Sequence, residues 1–188
     1  MAPSTSTEFK FLVCLAAASG LFTVIHGQLD SRPGRALMLF LLRSDFISID
    51  CGIGANQSYT SDFSPRLRYV SDAGFTDAGL TARVKPPYEQ YDDPNFGARF
   101  RTVRYFPEAT AGERSCYTLW SVTPGGKYLV RASFYYGNYD GLNRPPAFDL
   151  YIGVNQWATV NITAADYRYI LEAVAVLPAN FLQVSDVT

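Results

Sequence analysis

Histidine is almost absent from this 188-residue sequence, which contains only His26. His26 lies at the end of an apolar N-terminal stretch that we expect to be removed, so the remaining chain would contain no imidazole. This excludes Ser-His-Asp and Cys-His catalysis and any zinc site that needs histidine. No glycine-rich phosphate loop or kinase signature occurs either. We therefore expect no catalytic residues, no metal and no cofactor in this chain.

The sequence also has no large excess of charge of either sign, because it contains 16 Lys and Arg residues and 17 Asp and Glu residues. The balance gives no electrostatic reason for binding nucleic acid or an anionic membrane. Aromatic residues, in contrast, are abundant, with 13 Tyr and 13 Phe. A tyrosine-rich surface suits recognition of a partner. The alternative is structural, since tyrosine also favours β-strands.

Long apolar runs are limited to one, at residues 11–25, which follows a polar segment ending in Lys10. The run is short for a membrane span and fits a secretory signal peptide cleaved near Gly27. An uncleaved anchor is the alternative. No later segment is long and apolar enough to span a membrane. We therefore expect a mature chain without a membrane span that enters the secretory pathway and becomes extracellular.

Cysteine is scarce, with three in the whole sequence. Removal of the leader takes Cys14 and leaves Cys51 and Cys116. In an oxidising compartment, two cysteines suggest one disulfide. The alternative is two thiols, one of which awaits a partner elsewhere. The sequons that begin at Asn56 and Asn161 predict N-glycosylation and agree with secretion.

From residue 46 onward, short stretches of two-residue alternation are separated by glycine- and proline-rich turns. The clearest stretch is Lys127–Tyr136, in which Val130, Ala132 and Phe134 share one face. Residues 164–176 suit a helix by alanine content, but their β-branched and aromatic residues favour a strand. The pattern predicts an all-β fold, a β-sandwich or jelly roll. The predicted strands are 46–51, 98–106, 115–122, 127–136, 148–154, 156–162, 169–177 and 181–184.

The most informative loop follows the clearest strand and combines three tyrosines with one asparagine and one aspartate. Aromatic rings cover the C–H face of a sugar, while amide and carboxylate groups bind its hydroxyls. The loop therefore predicts a carbohydrate site. In the alternative interpretation, the second tyrosine packs in the core and residues 138–141 form only a turn. The candidate residues are Tyr135, Tyr136, Asn138, Tyr139 and Asp140.

Two further polar groups have less specific patterns. Glu89, Asp92 and Asp93 lie in one loop, and carboxylates can hydrolyse glycosides or bind calcium. Adjacent residues point apart in an extended chain and no regular ligand spacing is present, so we expect a solvated loop. Arg99 and Arg101 share a strand face by the two-residue period. We expect them to pair with acidic side chains rather than with an acidic polymer.

Six segments, in order along the chain, resemble the malectin-like domain of plant receptor-like kinases, particularly those with leucine-rich repeats. Together they extend over residues 46–184, which makes the resemblance specific. The segments are FISIDCG at 46–52, YVSDAGFTDAG at 69–79, RYFPEATAGERSCYTLW at 104–120, KYLVRASFYYGNYDG at 127–141, AFDLYIGVNQW at 147–157 and LPANFLQV at 177–184.

The resemblance implies a β-sandwich related to animal malectin, a carbohydrate-binding protein of the endoplasmic reticulum. It implies a receptor ectodomain that binds cell-wall or N-glycan-like carbohydrate, and it adds Tyr69 and Tyr105 as candidate contacts by position. Full-length receptors of this kind lie in the plasma membrane and carry a kinase domain that this sequence lacks. The alternative is a module that binds a secreted peptide or a co-receptor without sugar affinity. A hydrolase that uses Asp and Glu is a third interpretation.

The sequence departs from this family at both ends. Residues 33–45 resemble an insertion, and after LPANFLQV the family continues with a cysteine-containing strand that is not found here. We therefore expect a leader at 1–27, a linker with an insertion at 28–45, and a first malectin-like module at 46–188 that is incomplete at its C-terminus. This pattern suggests a truncated gene model or splice form, less stable alone than the complete module.

Overall fold

The computed structural model describes residues 14–19, 46–61, 66–89, 97–107, 114–120 and 122–187. The regular structure of these residues is β-strand apart from three short 3-10 helices, at Asp72–Gly74, Pro86–Tyr88 and Ala98–Phe100. The predicted all-β class is confirmed. No helix in these described ranges is long and apolar enough to cross a membrane. The predicted linker and the carboxylates Asp92 and Asp93 lie outside the described residues.

The described residues form strands in three sheets. A large sheet has the strand order β11-β8-β1-β2-β4-β3, a small sheet has the order β10-β9-β12-β7, and β5 and β6 form a two-stranded ribbon. The strands are β1 (Cys14–Ser19), β2 (Phe46–Asp50), β3 (Ser58–Thr60), β4 (Arg68–Ser71), β5 (Leu80–Arg83), β6 (Thr102–Tyr105), β7 (Arg114–Trp120), β8 (Lys127–Tyr135), β9 (Ala147–Ile152), β10 (Asn155–Asn161), β11 (Arg168–Val176) and β12 (Phe181–Val187).

The large and small sheets face each other across the apolar core. Alternation along β8 turns Val130, Ala132 and Phe134 inward, and all three are inaccessible to solvent. The ring of Phe134 meets that of Phe148 on β9 edge-on, with centroids 5.2 Å apart. Contact between inward side chains of two sheets is the packing of a β-sandwich. The faces predicted for this strand are therefore confirmed.

Seven of the eight predicted strand segments are strands with bounds close to those expected. The exception is 98–106, which begins as a 3-10 helix and becomes strand β6 only at Thr102. The helix is closed by the Arg101 N–H, which donates to the Ala98 carbonyl at 3.0 Å. Residues 168–176 are a strand, as predicted over the helical alternative. The sequence did not predict β3, β4 and β5, which have only three or four residues each.

Strand β1 lies within the predicted leader. It pairs antiparallel with both β2 and β8 and so connects the two halves of the large sheet. A leader at 1–27 stays a prediction. A molecule from which this leader has been removed cannot contain β1. Cleavage would leave β2 and β8 with unpaired edges, which sheets generally cover or protect.

The predicted disulfide between Cys51 and Cys116 is absent, because both residues are thiols in the structure. Cys51 belongs to the buried core. Cys116 lies on β7 between Ser115 and Tyr117, which are buried, so its own side chain points to the outer face of the small sheet. The two sulfurs are thus on different sides of that sheet. The residue directly opposite Cys116 in the register is Ser185 of β12.

Candidate functional site

The loop after β8 turns sharply and is packed against the ribbon. Gly137 and Asn138 have positive φ angles of 52° and 46°, a conformation that glycine and asparagine adopt most readily. A Cβ atom at Gly137 would lie 2.4 Å from Val84 Cγ1, so only glycine fits there. The Lys85 N–H donates to the Gly137 carbonyl at 2.9 Å. The sequence Gly-Asn therefore sets both the turn and its close contact.

Hydrogen bonds within the loop hold its polar groups. The Tyr136 hydroxyl lies 2.5 Å from Asp140 Oδ1 and 3.1 Å from Asn138 Oδ1. It also accepts the backbone N–H of Arg144 at 3.2 Å. Burial, and secondly the bond to Asp140, raise the pKa of Tyr136 to about 12, so the hydroxyl remains protonated. These contacts support the interpretation of residues 138–141 as a turn built on a packed tyrosine.

Most of the predicted sugar-binding rings are buried. Tyr135 and Tyr136 expose 0% and 1% of their surface, and Tyr69 and Tyr139 expose 5% and 7%. The Tyr135 hydroxyl donates to the Tyr88 carbonyl at 2.9 Å, and burial raises its pKa to about 12. A ring without an exposed face cannot lie flat against a sugar. These four tyrosines therefore stabilise the fold rather than offer a platform, and three of them, all except Tyr69, belong to the loop.

Tyr105 is the predicted ring that is half-buried rather than buried, and the fold brings it to the loop. It lies at the end of β6 and stacks on Tyr139 with centroids 5.0 Å apart and planes at 30°. Tyr139 in turn meets Tyr136 edge-on at 5.5 Å. Asn138 and Asp140 are half-buried beside this stack. We refer to Tyr105, Asn138, Tyr139 and Asp140 together as the aromatic loop site.

Tyr69 belongs to a second cluster that the sequence analysis did not identify. It stacks on Tyr59 with centroids 5.3 Å apart and planes at 12°, and its hydroxyl oxygen accepts a hydrogen bond from Arg99 Nη1 at 3.3 Å. The Tyr59 hydroxyl donates to Asp50 Oδ2 at 2.7 Å. Burial raises the pKa of Asp50 to about 7, although the hydrogen bond from Tyr59 and, to a smaller extent, nearby Arg99 and Arg101 oppose the shift. The sequence signal was an aspartate at the end of a strand whose other residues, apart from Ser48, are apolar.

A third polar cluster ties the segment after β4 to the core. The Arg104 guanidinium donates to both carboxylate oxygens of Asp72, at 2.5 and 2.9 Å, and to the Ala78 carbonyl at 3.1 Å. The Tyr117 hydroxyl donates to the same carboxylate at 3.0 Å. Asp72 is inaccessible to solvent. A fully bonded, buried pair of this kind stabilises one geometry and leaves no group for a ligand.

The remaining predicted sites lie on the surface or outside the described ranges. Asn56 and Asn161, the two sequon asparagines, are exposed, and their glycosylation stays a prediction. Glu89 pairs with Arg83 at 2.5 Å. Among the residues that the structure describes, no group of acidic, histidine and cysteine side chains could hold a metal ion.

Comparison with known proteins gives one consistent result. A family model described as the malectin-like domain matches residues 49–187. A receptor-like protein kinase of Arabidopsis thaliana is 42% identical over 139 residues, which is 74% of this chain and 15% of the relative. A leucine-rich repeat receptor-like serine/threonine-protein kinase from the same plant is 42% identical over 181 residues, 95% of this chain and 18% of the relative. The chain thus spans less than a fifth of these relatives. No solved structure gives a match.

Proposed function

Because this chain belongs to the malectin-like domain family, we propose that it recognises an extracellular ligand and that this ligand is a carbohydrate. The matches to receptor-like kinases cover a receptor module outside the kinase domain, so this chain carries a recognition domain and not a catalytic one. The finer proposal concerns the chemistry of the ligand and the place where it binds.

The stack of Tyr105 on Tyr139 carries the proposal. Tyr105 has one face against Tyr139 and is only half-buried, while Asn138 and Asp140 lie close by with amide and carboxylate groups. A sugar needs a ring for its C–H face and planar polar groups for its hydroxyls. The buried tyrosines of the loop would support this surface without contacting the sugar.

The second candidate function is binding of a secreted peptide or a co-receptor. It is favoured by β11, an edge strand of the large sheet that carries exposed apolar side chains. Ile170, Val174 and Val176 expose 49%, 71% and 59% of their surface. An exposed strand edge can accept an extended peptide as a further strand. β11 begins beside the aromatic loop, where Arg168 pairs with Tyr135, and runs away from it toward Val174 and Val176.

A glycan array with the folded, secreted chain tests the proposal, with Tyr105→Ala as the decisive variant. The ring contributes about 1 kcal/mol or more beyond its burial, so we expect its loss to weaken binding at least about fivefold. Tyr59→Ala is a matched control, because Tyr59 is also a half-buried ring that stacks on another tyrosine, but in the separate cluster with Tyr69. Binding that Tyr105→Ala leaves unchanged would contradict the proposed site. A folded protein that binds a peptide and no glycan would favour the second function.

A further inference from the structure

A groove of 610 Å³ opens at the other end of the sandwich, between the β9–β10 turn and the β11–β12 turn. Its volume lies within the range of small-molecule sites. Strand β8 runs from Lys127, which pairs with Val176 of the groove, to Tyr135 at the aromatic loop site. A strand of nine residues places the two ends about 25 Å apart. A ligand in the groove is therefore separate from one at the aromatic loop site.

The groove combines aromatic rings with carboxamides. Trp157 and Phe181 supply rings, and Asn155, Gln156 and Gln183 supply amide groups. Among the described residues that line it, none carries a charge. Carboxamides both donate and accept hydrogen bonds, as sugar hydroxyls do. The same residues offer no cation to an acidic polymer and no anion to a basic one.

An exposed aromatic pair extends one wall of the groove. Trp120 lies directly opposite Phe181 across the β7–β12 pair, and their ring centroids are 5.4 Å apart. Trp120 exposes 57% and Phe181 37% of their surface. Large apolar side chains exposed next to each other are typical of binding surfaces, because leaving them in water costs free energy.

We propose that this groove binds a neutral oligosaccharide. The rings cover the C–H faces of the sugar, and the three carboxamides bind its hydroxyls. The absence of charge among the lining residues selects for a neutral chain over an acidic one. The groove does not depend on the aromatic loop site, so either site can bind when the other has been removed by mutation.

Intrinsic fluorescence offers a selective test, because the chain has only two tryptophans: Trp157 lines the groove, and Trp120 lies against Phe181 of its wall. The probes are cellohexaose and mannohexaose as neutral chains and hexagalacturonic acid as an acidic chain of equal length. We expect at least one neutral hexasaccharide to change the tryptophan emission saturably and the acidic one to leave it unchanged. No saturable change with either neutral probe at millimolar concentration, or an equal change with the acidic probe, would overturn the proposal.

The double variant Asn155→Ala/Gln156→Ala keeps both tryptophans and changes two exposed side chains. Loss of two neutral hydrogen-bonding groups is expected to weaken neutral hexasaccharide binding about tenfold or more. Tyr105→Ala should leave this binding unchanged, which separates the groove from the aromatic loop site. Binding of a neutral hexasaccharide can also be measured by calorimetry. If this binding disappears in Tyr105→Ala and persists in the double variant, the sugar binds at the aromatic loop site, and the proposal for the groove is wrong. Dimerisation in sedimentation that the double variant abolishes would make the groove a protein interface, and would also overturn it.

Discussion

Replacement of Asp50 by asparagine is expected to stabilise the protein at pH 8 and to leave its stability almost unchanged at pH 4. Asp50 is inaccessible to solvent, and its Oδ1 has no hydrogen-bond partner among the described residues. Burial raises its pKa from 3.8 to about 7. Asparagine keeps the oxygen that accepts the Tyr59 hydroxyl but carries no charge to bury.

The sign of the effect follows from proton binding. Between about pH 4 and pH 7 the folded Asp50 holds a proton that the unfolded chain has lost. Its contribution to the free energy of unfolding is therefore complete below pH 4 and decreases as the pH rises through 7. A difference of about three pKa units corresponds to about 4 kcal/mol as an upper figure. Asp186 has a pKa raised to about 7 by burial, so part of the pH dependence should persist in the variant.

Urea unfolding measured at pH 4, 6 and 8 tests this reasoning. The quantity to compare is the difference in unfolding free energy between the Asp50→Asn variant and the unmodified chain. Asp77→Asn is the control, because Asp77 is exposed, and it should shift stability by only a few tenths of a kcal/mol at each pH. A difference for Asp50→Asn that is constant from pH 4 to 8, or that grows toward acid, would refute the assignment.

Two further predictions concern the interior and the small sheet. Arg104→Ala leaves the Asp72 carboxylate buried without its ion pair and should lower the free energy of unfolding by about 3–5 kcal/mol. Arg83→Ala, which breaks a more exposed pair, should cost less than about 1 kcal/mol; similar losses from both in urea unfolding would contradict this. Ser185→Cys should form a disulfide with Cys116, which lies directly opposite it on the adjacent strand. This disulfide should raise the free energy of unfolding by about 4 kcal/mol. Mass spectrometry showing two persistent thiols after oxidation would contradict that pairing.

The sequence predicted the sandwich well because alternation is a local property. Each strand from β7 to β12 carries its own period, so Lys127–Tyr135 and Arg168–Val176 are evident without knowledge of their partners. Contacts between distant residues were harder to predict. The pair of Arg104 with Asp72 joins residues 32 positions apart, and no local pattern indicates which of several arginines meets which aspartate.

The aromatic loop illustrates the same limit for a functional site. Alternation placed Tyr135 on the mixed, outer face of β8, where an exposed ring was a reasonable expectation. Tyr88 and Phe100 cover that face from a segment far away in the sequence, and the Phe100 and Tyr135 rings lie 5.7 Å apart. The strongest aromatic pattern in the chain therefore reflects packing, because both faces of β8 are covered at this end.

Exposure separates rings that build the fold from rings that are available for recognition. Trp120 and Phe181 are exposed and Tyr105 is half-buried, although none of the three belongs to the tyrosine-rich loop that is the strongest aromatic pattern in the sequence. The polar groups differ in the same way: Asn138 and Asp140 are bonded within their loop, whereas Asn155 and Gln156 are exposed. A sugar at the loop would have to bind polar groups that already have partners, at a cost in hydrogen-bond energy. Asn155 and Gln156 of the groove are exposed, so a sugar there would displace water from both amides.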